Sequence, residues 1–371
     1  MKKNKVKVLS IFGTRPEAIK LAPVILCMQD SKEIESFSCV TAQHREMMDQ
    51  INQLFKINPD FDLNLMEINQ SLHHLSARIF SKVTPIIATV RPEWILVQGD
   101  TTTAMIASLA GYYQKIKVGH IEAGLRSKNK WEPFPEEGNR RIIDAVADLH
   151  FAPTRLAHKH LCQEGVPSQN IVITGNTIVD AMNLISKKIF DQKNSVLVNI
   201  PWDKKIILVT AHRRENIGEP LINICEAIIK LAETHNDIHF VFPMHRNPEV
   251  QRIVRSRLSG IAGVSLLAPL EYHAFIYILK NCHLVMTDSG GIQEEAPTFG
   301  KMVLILRNTT ERPEGVEAGF AKLIGTDNNR IINIVNSILE SSNQLEEIAA
   351  GKNPYGDGKA SQRIIEAIKN Y

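Results

Sequence analysis

Most residues able to do chemistry in this chain stand directly after short apolar runs. Gly13, Thr14, Arg15 and Pro16 follow the first such run, Gly99 and Asp100 the third, and His120 and Glu122 the fourth. Later runs lead into His212, Arg213 and Arg214, into His245 and Arg246, and into Asp288, Ser289, Gly290 and Gly291. Much of this set suits the handling of an anion. In TDSGGIQEEAPTFG (287–300) a strand ends, two glycines let a ligand approach the backbone, and a helix opens with free N–H groups pointing outward. Ser289 is placed to cap that helix. The same Ser-Gly-Gly is also found as a plain capped turn, so both readings stand. His212 with two arginines after it reads as a cation cluster for a polyanion, or as a satisfied core histidine. Arg15 and Lys20 flank the first helix start, as phosphate contacts or as solubilising surface charges. The carboxylates Asp100, Glu122 and Glu136 each adjoin a glycine, histidine or proline turn and not a solvated helix face. For Asp100 the alternative duty is to cap the next helix, and for Glu136 to favour a helix dipole; Glu122, just past a buried strand, has few structural duties to perform.

The elements that must position these residues follow from the apolar pattern. Short β-rich runs alternate with helical stretches, and none shows the strict polar alternation of a sheet with one wet face, so they read as buried parallel strands. Strands are expected near Val6–Ile11, Phe37–Thr41, Trp94–Gln98, Lys117–Ile121, Leu149–Ala152 and Ile171–Ile173, then near Ile206–Thr210, His239–Phe242, Val264–Leu267, Leu284–Thr287, Val303–Leu306 and Ala321–Ile324. This is an α/β chain of two Rossmann-like, doubly wound domains. We place the first at residues 1–175 and the second at 176–359, with a last helix over 360–371 too short to be a domain and obliged to dock on one. Ligands of open α/β sheets bind beyond the carboxyl ends of the strands, so two such edges facing each other across a cleft would gather the residues above.

Composition narrows the partners. The chain has 371 residues with 44% hydrophobic, enough for two cores, and 43 basic against 40 acidic side chains leave a net charge of +3. So small and evenly mixed a charge, with only 6% aromatics, gives no footprint for nucleic acid. Cys27, Cys39, Cys162, Cys225 and Cys282 form no Cys-x-x-Cys pair, which argues against both a disulfide framework and a zinc site. His73-His74 and His158-x-His160 lack companion ligands, so no metal is assigned. Charges at Arg15, Glu17 and Lys20 interrupt the opening too early for a signal peptide, and no apolar run is long enough to span a membrane; the expected location is a reducing cytoplasm. Neither a Walker A sequence nor G-x-G-x-x-G occurs, which disfavours a P-loop NTPase and an NAD-binding enzyme.

Taken as blocks, GTRPEAIKLAPV (13–24), QHREMMDQ (43–50), QGDTTTAMIASLAGYY (98–113), GHIEAGLRS (119–127), PEEGNRRIID (135–144), AHRREN (211–216), MTDSGGIQEEAPTFGK (286–301) and LRNTTERPEGVEAG (306–319) resemble the bacterial non-hydrolysing UDP-N-acetylglucosamine 2-epimerases. They span most of the chain in the family's order. The resemblance implies a glycosyltransferase-B type fold, a homodimer, a last helix that crosses back onto the first domain, and interconversion of UDP-N-acetylglucosamine with UDP-N-acetylmannosamine for cell-surface polysaccharide. By motif it makes Asp100, Glu122 and Glu136 the acid/base carboxylates. Arg15 and His212 would hold the diphosphate, with Lys20 in support. Ser289, Gly290 and Gly291 would bind phosphate, Glu295 the ribose hydroxyls, Arg312 the nucleotide, and Phe275 would lie near the uracil. Gln43, Arg213 and His245 match positions of an activating second substrate site, whereas Glu46 and Asn69 stand where the family has Gln and Arg. Gly138 replaces a Met or Ala. No cofactor is implied.

Four other readings compete. A hydrolysing epimerase would release UDP and the free sugar; an enzyme of the same branch acting on a different sugar, such as a uronic-acid derivative, would need an additional cation near sugar carbon 6; a glycosyltransferase would release UDP only to an acceptor; a sensing protein would bind a nucleotide sugar without turnover.

Overall fold

The computed structural model describes residues 5–41, 45–65, 67, 70–193 and 195–371. It divides into two compact units. One comprises Met1–Leu184 with Tyr355–Tyr371, the other Ile185–Pro354. The helix Thr177–Ser186 therefore begins in the first unit, beyond the division expected at Gly175.

The first unit is built on seven parallel strands: β1 (Val6–Phe12), β2 (Ile34–Val40), β3 (Phe61–Asp62), β4 (Trp94–Gln98), β5 (Lys117–Ile121), β6 (Leu149–Ala152) and β7 (Ile171–Ile173), in the order 3-2-1-4-5-6-7. β1 is central, pairing Val8 with Ser36 of β2 on one side and with Trp94 of β4 on the other. Both faces are covered by helices, which is why Leu9, Ile11, Ile95 and Val97 are completely buried and the strands carry unbroken apolar runs. Six parallel strands make the second sheet: β8 (Lys205–Thr210), β9 (Ile238–Pro243), β10 (Val264–Leu267), β11 (Leu284–Thr287), β12 (Val303–Ile305) and β13 (Ala321–Leu323), in the order 10-9-8-11-12-13. Its core gathers Val209, Phe240, Phe242, Met286 and Leu304 under the helices Glu219–Thr234 and Asn328–Glu340. Both sheets are doubly wound, as the apolar runs required.

Each order reverses direction at one point, between β1 and β4 in the first sheet and between β8 and β11 in the second. Chains leaving two such neighbouring strands turn to opposite faces and leave a crevice at the carboxyl edge. The first crevice thus receives Gly13–Arg15 and Gly99–Asp100, the second Ala211–Arg213 and Asp288–Gly291.

The helix Ala360–Asn370 completes the first unit. Its first N–H groups have no partner within the helix, and the buried carboxylate of Asp180 supplies one: Oδ2 accepts from Ala360 N at 3.2 Å and Oδ1 from Ser361 N at 2.9 Å. Arg363 donates to the Thr174 carbonyl at 2.8 Å, Lys369 pairs with Glu33, and the Tyr371 ring meets Trp94 edge-on with centroids 5.1 Å apart. Among the described residues, no helix is long and apolar enough to cross a membrane.

Candidate active site

In the first unit the site begins where β1 runs into the helix Arg15–Gln29. Gly13 is obligatory there: a β-carbon would come within 2.2 Å of the Thr41 hydroxyl and 2.6 Å of the Thr103 hydroxyl. Glu17, one turn into the helix and 1% exposed, turns its carboxylate back. Oε2 accepts from Gly13 N (3.1 Å) and Thr14 N (2.8 Å), and Oε1 accepts from Thr101 Oγ1 (2.8 Å). One buried side chain thus joins the turn of Arg15 to the turn of Asp100. Burial pushes its pKa from 4.5 up to about 7, against the smaller opposing effect of these hydrogen bonds. Lys20, a turn further on, is not a surface charge. It is buried and paired with Glu122, whose Oε2 also accepts from Gln98 Nε2 at 2.8 Å. Glu122 holds φ = +67°, a conformation costly for any residue with a β-carbon and tolerated here where surrounding contacts fix it.

Asp100 does not cap the helix that follows it. Thr101 does, its hydroxyl accepting from Ala104 N at 3.0 Å, and the Asp100 carboxylate is left for Arg140, with Nε 2.9 Å and Nη2 2.6 Å from Oδ2. The helix Glu136–Val146 carries this arginine, and its spacing explains how one segment serves so many partners. Residues three and four apart share a face. Asn139 and Arg140 reach Asp100, Glu137 receives Ser127 N, Arg140 and Arg141, and Asp144 reaches His120. Burial opposes ionisation of Glu137, but the Ser127 N–H and then Arg141 and Arg140 outweigh it and hold its pKa below normal. Glu136 opens the helix, with Oε2 buried and meeting no hydrogen-bond donor among the described residues. The three carboxylates are linked: Gln98 holds Glu122 two residues before Asp100, and Asp100 is held from the helix that begins at Glu136.

In the second unit one carboxylate organises the crevice. Asp288, fully buried at the end of β11, accepts at Oδ2 from His212 N (2.9 Å), Arg213 N (2.8 Å) and Asn216 Nδ2 (3.0 Å). Its other oxygen lies 3.3 Å from His212 Nδ1. The His212 ring stacks on that of His245, with centroids 5.1 Å apart and planes at 19°. Burial first, and then His245 and Arg213, lower the His212 pKa against the opposing pull of Asp288. The Arg213 side chain lies over Gly290, and its Nε is buried with no acceptor among the described residues. Gly290 and Gly291 sit outside the left-handed region and have room for a β-carbon, so neither protein packing nor backbone geometry demands glycine there. What their bareness does is expose the N–H groups at the start of the helix Gly290–Glu295. Ser289 occupies the cap position, yet its hydroxyl makes no capping bond, contrary to the sequence expectation. Glu295 is buried and accepts from Tyr272 Oη at 2.7 Å, Arg312 pairs with Glu294, and Phe275 is half-buried on the helix Tyr272–Asn281. His245 is exposed, while Gln43 and Asn69 lie outside the described residues.

These two crevices can be set beside known proteins. A profile of the UDP-N-acetylglucosamine 2-epimerases matches residues 13–369. The chain belongs to that family. It is 46% identical to the Escherichia coli K12 UDP-N-acetylglucosamine 2-epimerase, over 98% of this chain and 99% of that one. The Neisseria meningitidis UDP-GlcNAc 2-epimerase, solved with UDP-GlcNAc bound, is similar over 99% of this chain and 100% of its own, with a TM-score of 0.90 and 46% identity. A Methanocaldococcus jannaschii enzyme in complex with UDP-GlcNAc and UDP gives 0.81 at 30% identity, over 99% of this chain and 100% of that one. The chain is thus an epimerase, an isomerase by reaction class, on the α/β fold expected from its apolar runs. Sequence reasoning about this epimerase passed over Glu17, Arg140 and Asp144, and placed Asp288 at its strand end without a role. Only Glu17 left a local signal, the Thr-x-x-Glu of a helix start; the others are recognisable only once the strand order brings their partners to them.

Proposed function

We propose that this epimerase is of the non-hydrolysing kind, interconverting UDP-N-acetylglucosamine and UDP-N-acetylmannosamine, the latter a precursor of cell-surface polysaccharide. The hydrogen on sugar carbon 2 is not adjacent to a carbonyl, so its direct removal faces a high barrier. Elimination avoids this. A carboxylate takes the carbon 2 proton, the bond from carbon 1 to the diphosphate oxygen breaks with its electron pair leaving on UDP, and a double bond forms between carbons 1 and 2. Return of a proton to the opposite face of carbon 2, with attack of UDP oxygen on carbon 1, gives the epimer. The observation carrying this reading is that Glu122 and Asp100 are held beyond β5 and β4 by Gln98 and by Arg140, and that Glu136 opens the helix carrying that arginine. In this mechanism they act as acid and base, with Lys20 holding Glu122 and Arg15 on the adjoining turn drawing the diphosphate.

The nucleotide falls to the second unit. An arginine beside a helix start brings two positive fields together, and Arg213 over Gly290, with His212 beside it, is therefore stabilised by a diphosphate. Ser289 and the N–H groups of Gly290 and Gly291 complete that site. Glu295 is assigned to the ribose, Arg312 and Phe275 to the nucleotide, and the active form to a homodimer. A proton NMR time course with UDP-N-acetylglucosamine in deuterium oxide tests the proposal. UDP-N-acetylmannosamine bearing deuterium at carbon 2, with its diphosphate still attached, is expected; accumulation of free N-acetylmannosamine and UDP would identify the hydrolysing reaction instead.

A further inference from the structure

Beneath the carboxylates lies a histidine that no step above uses. His120 is completely buried, with Nδ1 2.5 Å from Asp144 Oδ1 and Nε2 2.7 Å from the carbonyl oxygen of Gly99. Carboxylate and carbonyl oxygens only accept, so both contacts are hydrogen bonds when both ring nitrogens carry hydrogen. A neutral ring would set a bare nitrogen lone pair against an oxygen at one of these contacts, where no water can intervene. The surrounding charges accommodate the imidazolium. Asp144 faces His120 with one oxygen and Arg126 Nη2 with the other at 2.6 Å, and Arg126 is forked onto Glu164 at 2.8 and 2.6 Å. Two cations and two anions therefore alternate. Burial alone would raise the Asp144 pKa, but His120 and then Arg126 hold it down at about 2. His150 contacts the Asp144 backbone oxygen at 3.0 Å, and its own pKa is lowered, chiefly by burial.

The other end of this chain is the turn of Asp100. Gly99 has φ = +71°, and its carbonyl is held by His120; the next carbonyl, that of Asp100, is held by Asn139 at 2.8 Å, and the Asp100 carboxylate by Arg140. Two successive carbonyls and the side chain between them are thus fixed by groups that all trace back to the helix Glu136–Val146. We propose that His120, protonated on both ring nitrogens, is a positioning residue that with Asp144 fixes the turn carrying Asp100 and so the reach of that carboxylate, without touching the substrate. This rests on the acid/base role given to Asp100.

The test has two arms. Nitrogen-15 histidine NMR of the wild-type enzyme at the pH of the activity assay is expected to show one buried ring with both nitrogens protonated, lost in His120→Gln. Absence of such a ring overturns the proposal whatever the activity. In Asp144→Asn, which keeps shape but removes the balancing charge, that ring should revert to one protonated nitrogen. Its kcat should fall about 10- to 100-fold with KM within about threefold, as expected for a misplaced catalytic group that still permits binding. A folded Asp144→Asn enzyme with wild-type kcat, or with KM raised and kcat kept, overturns it. Full turnover by Asp100→Asn would instead remove the acid/base reading while leaving the histidine signal in place.

Discussion

Glu17 makes the dependence of stability on pH calculable. Its carboxylate is 1% exposed and receives three hydrogen bonds, and burial raises its pKa from 4.5 to about 7. Between these values the folded protein keeps a proton that the unfolded chain has released. Stability therefore falls as pH rises from 4.5 towards 7, then levels off above 7 once both states are ionised. At 1.36 kcal/mol per unit the loss amounts to about 3 kcal/mol. Gln has nearly the shape of the protonated acid and does not titrate, so Glu17→Gln is free of that loss. Urea unfolding of both proteins, followed by fluorescence of the buried Trp94 in the same unit, should show the variant gaining about 3 kcal/mol relative to wild type between pH 4.5 and 8. All other titrations are common to the two proteins and cancel. A difference that stays constant across this range would refute the reasoning and mean that the three donors offset the burial of the charge.

Two further outcomes follow from local geometry. Gly138 lies in the first turn of the helix Glu136–Val146, and a β-carbon there would meet nothing within 4 Å, so Gly138→Ala should raise stability by about 0.5–1 kcal/mol with turnover unchanged; a lower urea midpoint would contradict this. Asp180→Ala should leave the first N–H groups of the helix Ala360–Asn370 uncapped at a cost of about 2 kcal/mol, accelerating amide exchange across that helix about 30-fold; unchanged protection would show that Arg363 and Tyr371 suffice to hold it.

What could be read from the sequence was what neighbours along the chain decide. Apolar runs buried on both faces by crossover helices marked twelve strands, whereas Phe61–Asp62 went unseen because two residues are too few to form a pattern. Asp100, Glu122, His212 and Ser289 were legible as polar residues at strand ends. Their partners were not, because partnership is set by strand order. Asp100 stood open between helix cap and acid/base group until Thr101 was seen to fill the cap. Lys20 stood open between a phosphate contact and a surface charge because its partner lies 102 residues away. The sequence also marked Asp288 only as an acid at a strand end, though it holds the loop of His212 from the neighbouring strand.

Residues 355–371 belong to the first unit but follow the second in chain order. During synthesis the ribosome must therefore complete the whole of Ile185–Pro354 before the segment capped by Asp180 becomes available. The unit that carries the three carboxylates is begun first and finished last. While elongation proceeds, the surface of the helix Arg15–Gln29 and the Trp94 edge wait uncovered, the kind of apolar exposure that recruits chaperones. Premature termination anywhere within the second unit then strikes both halves of the enzyme, so that no fragment stopping short of residue 355 carries a finished first unit.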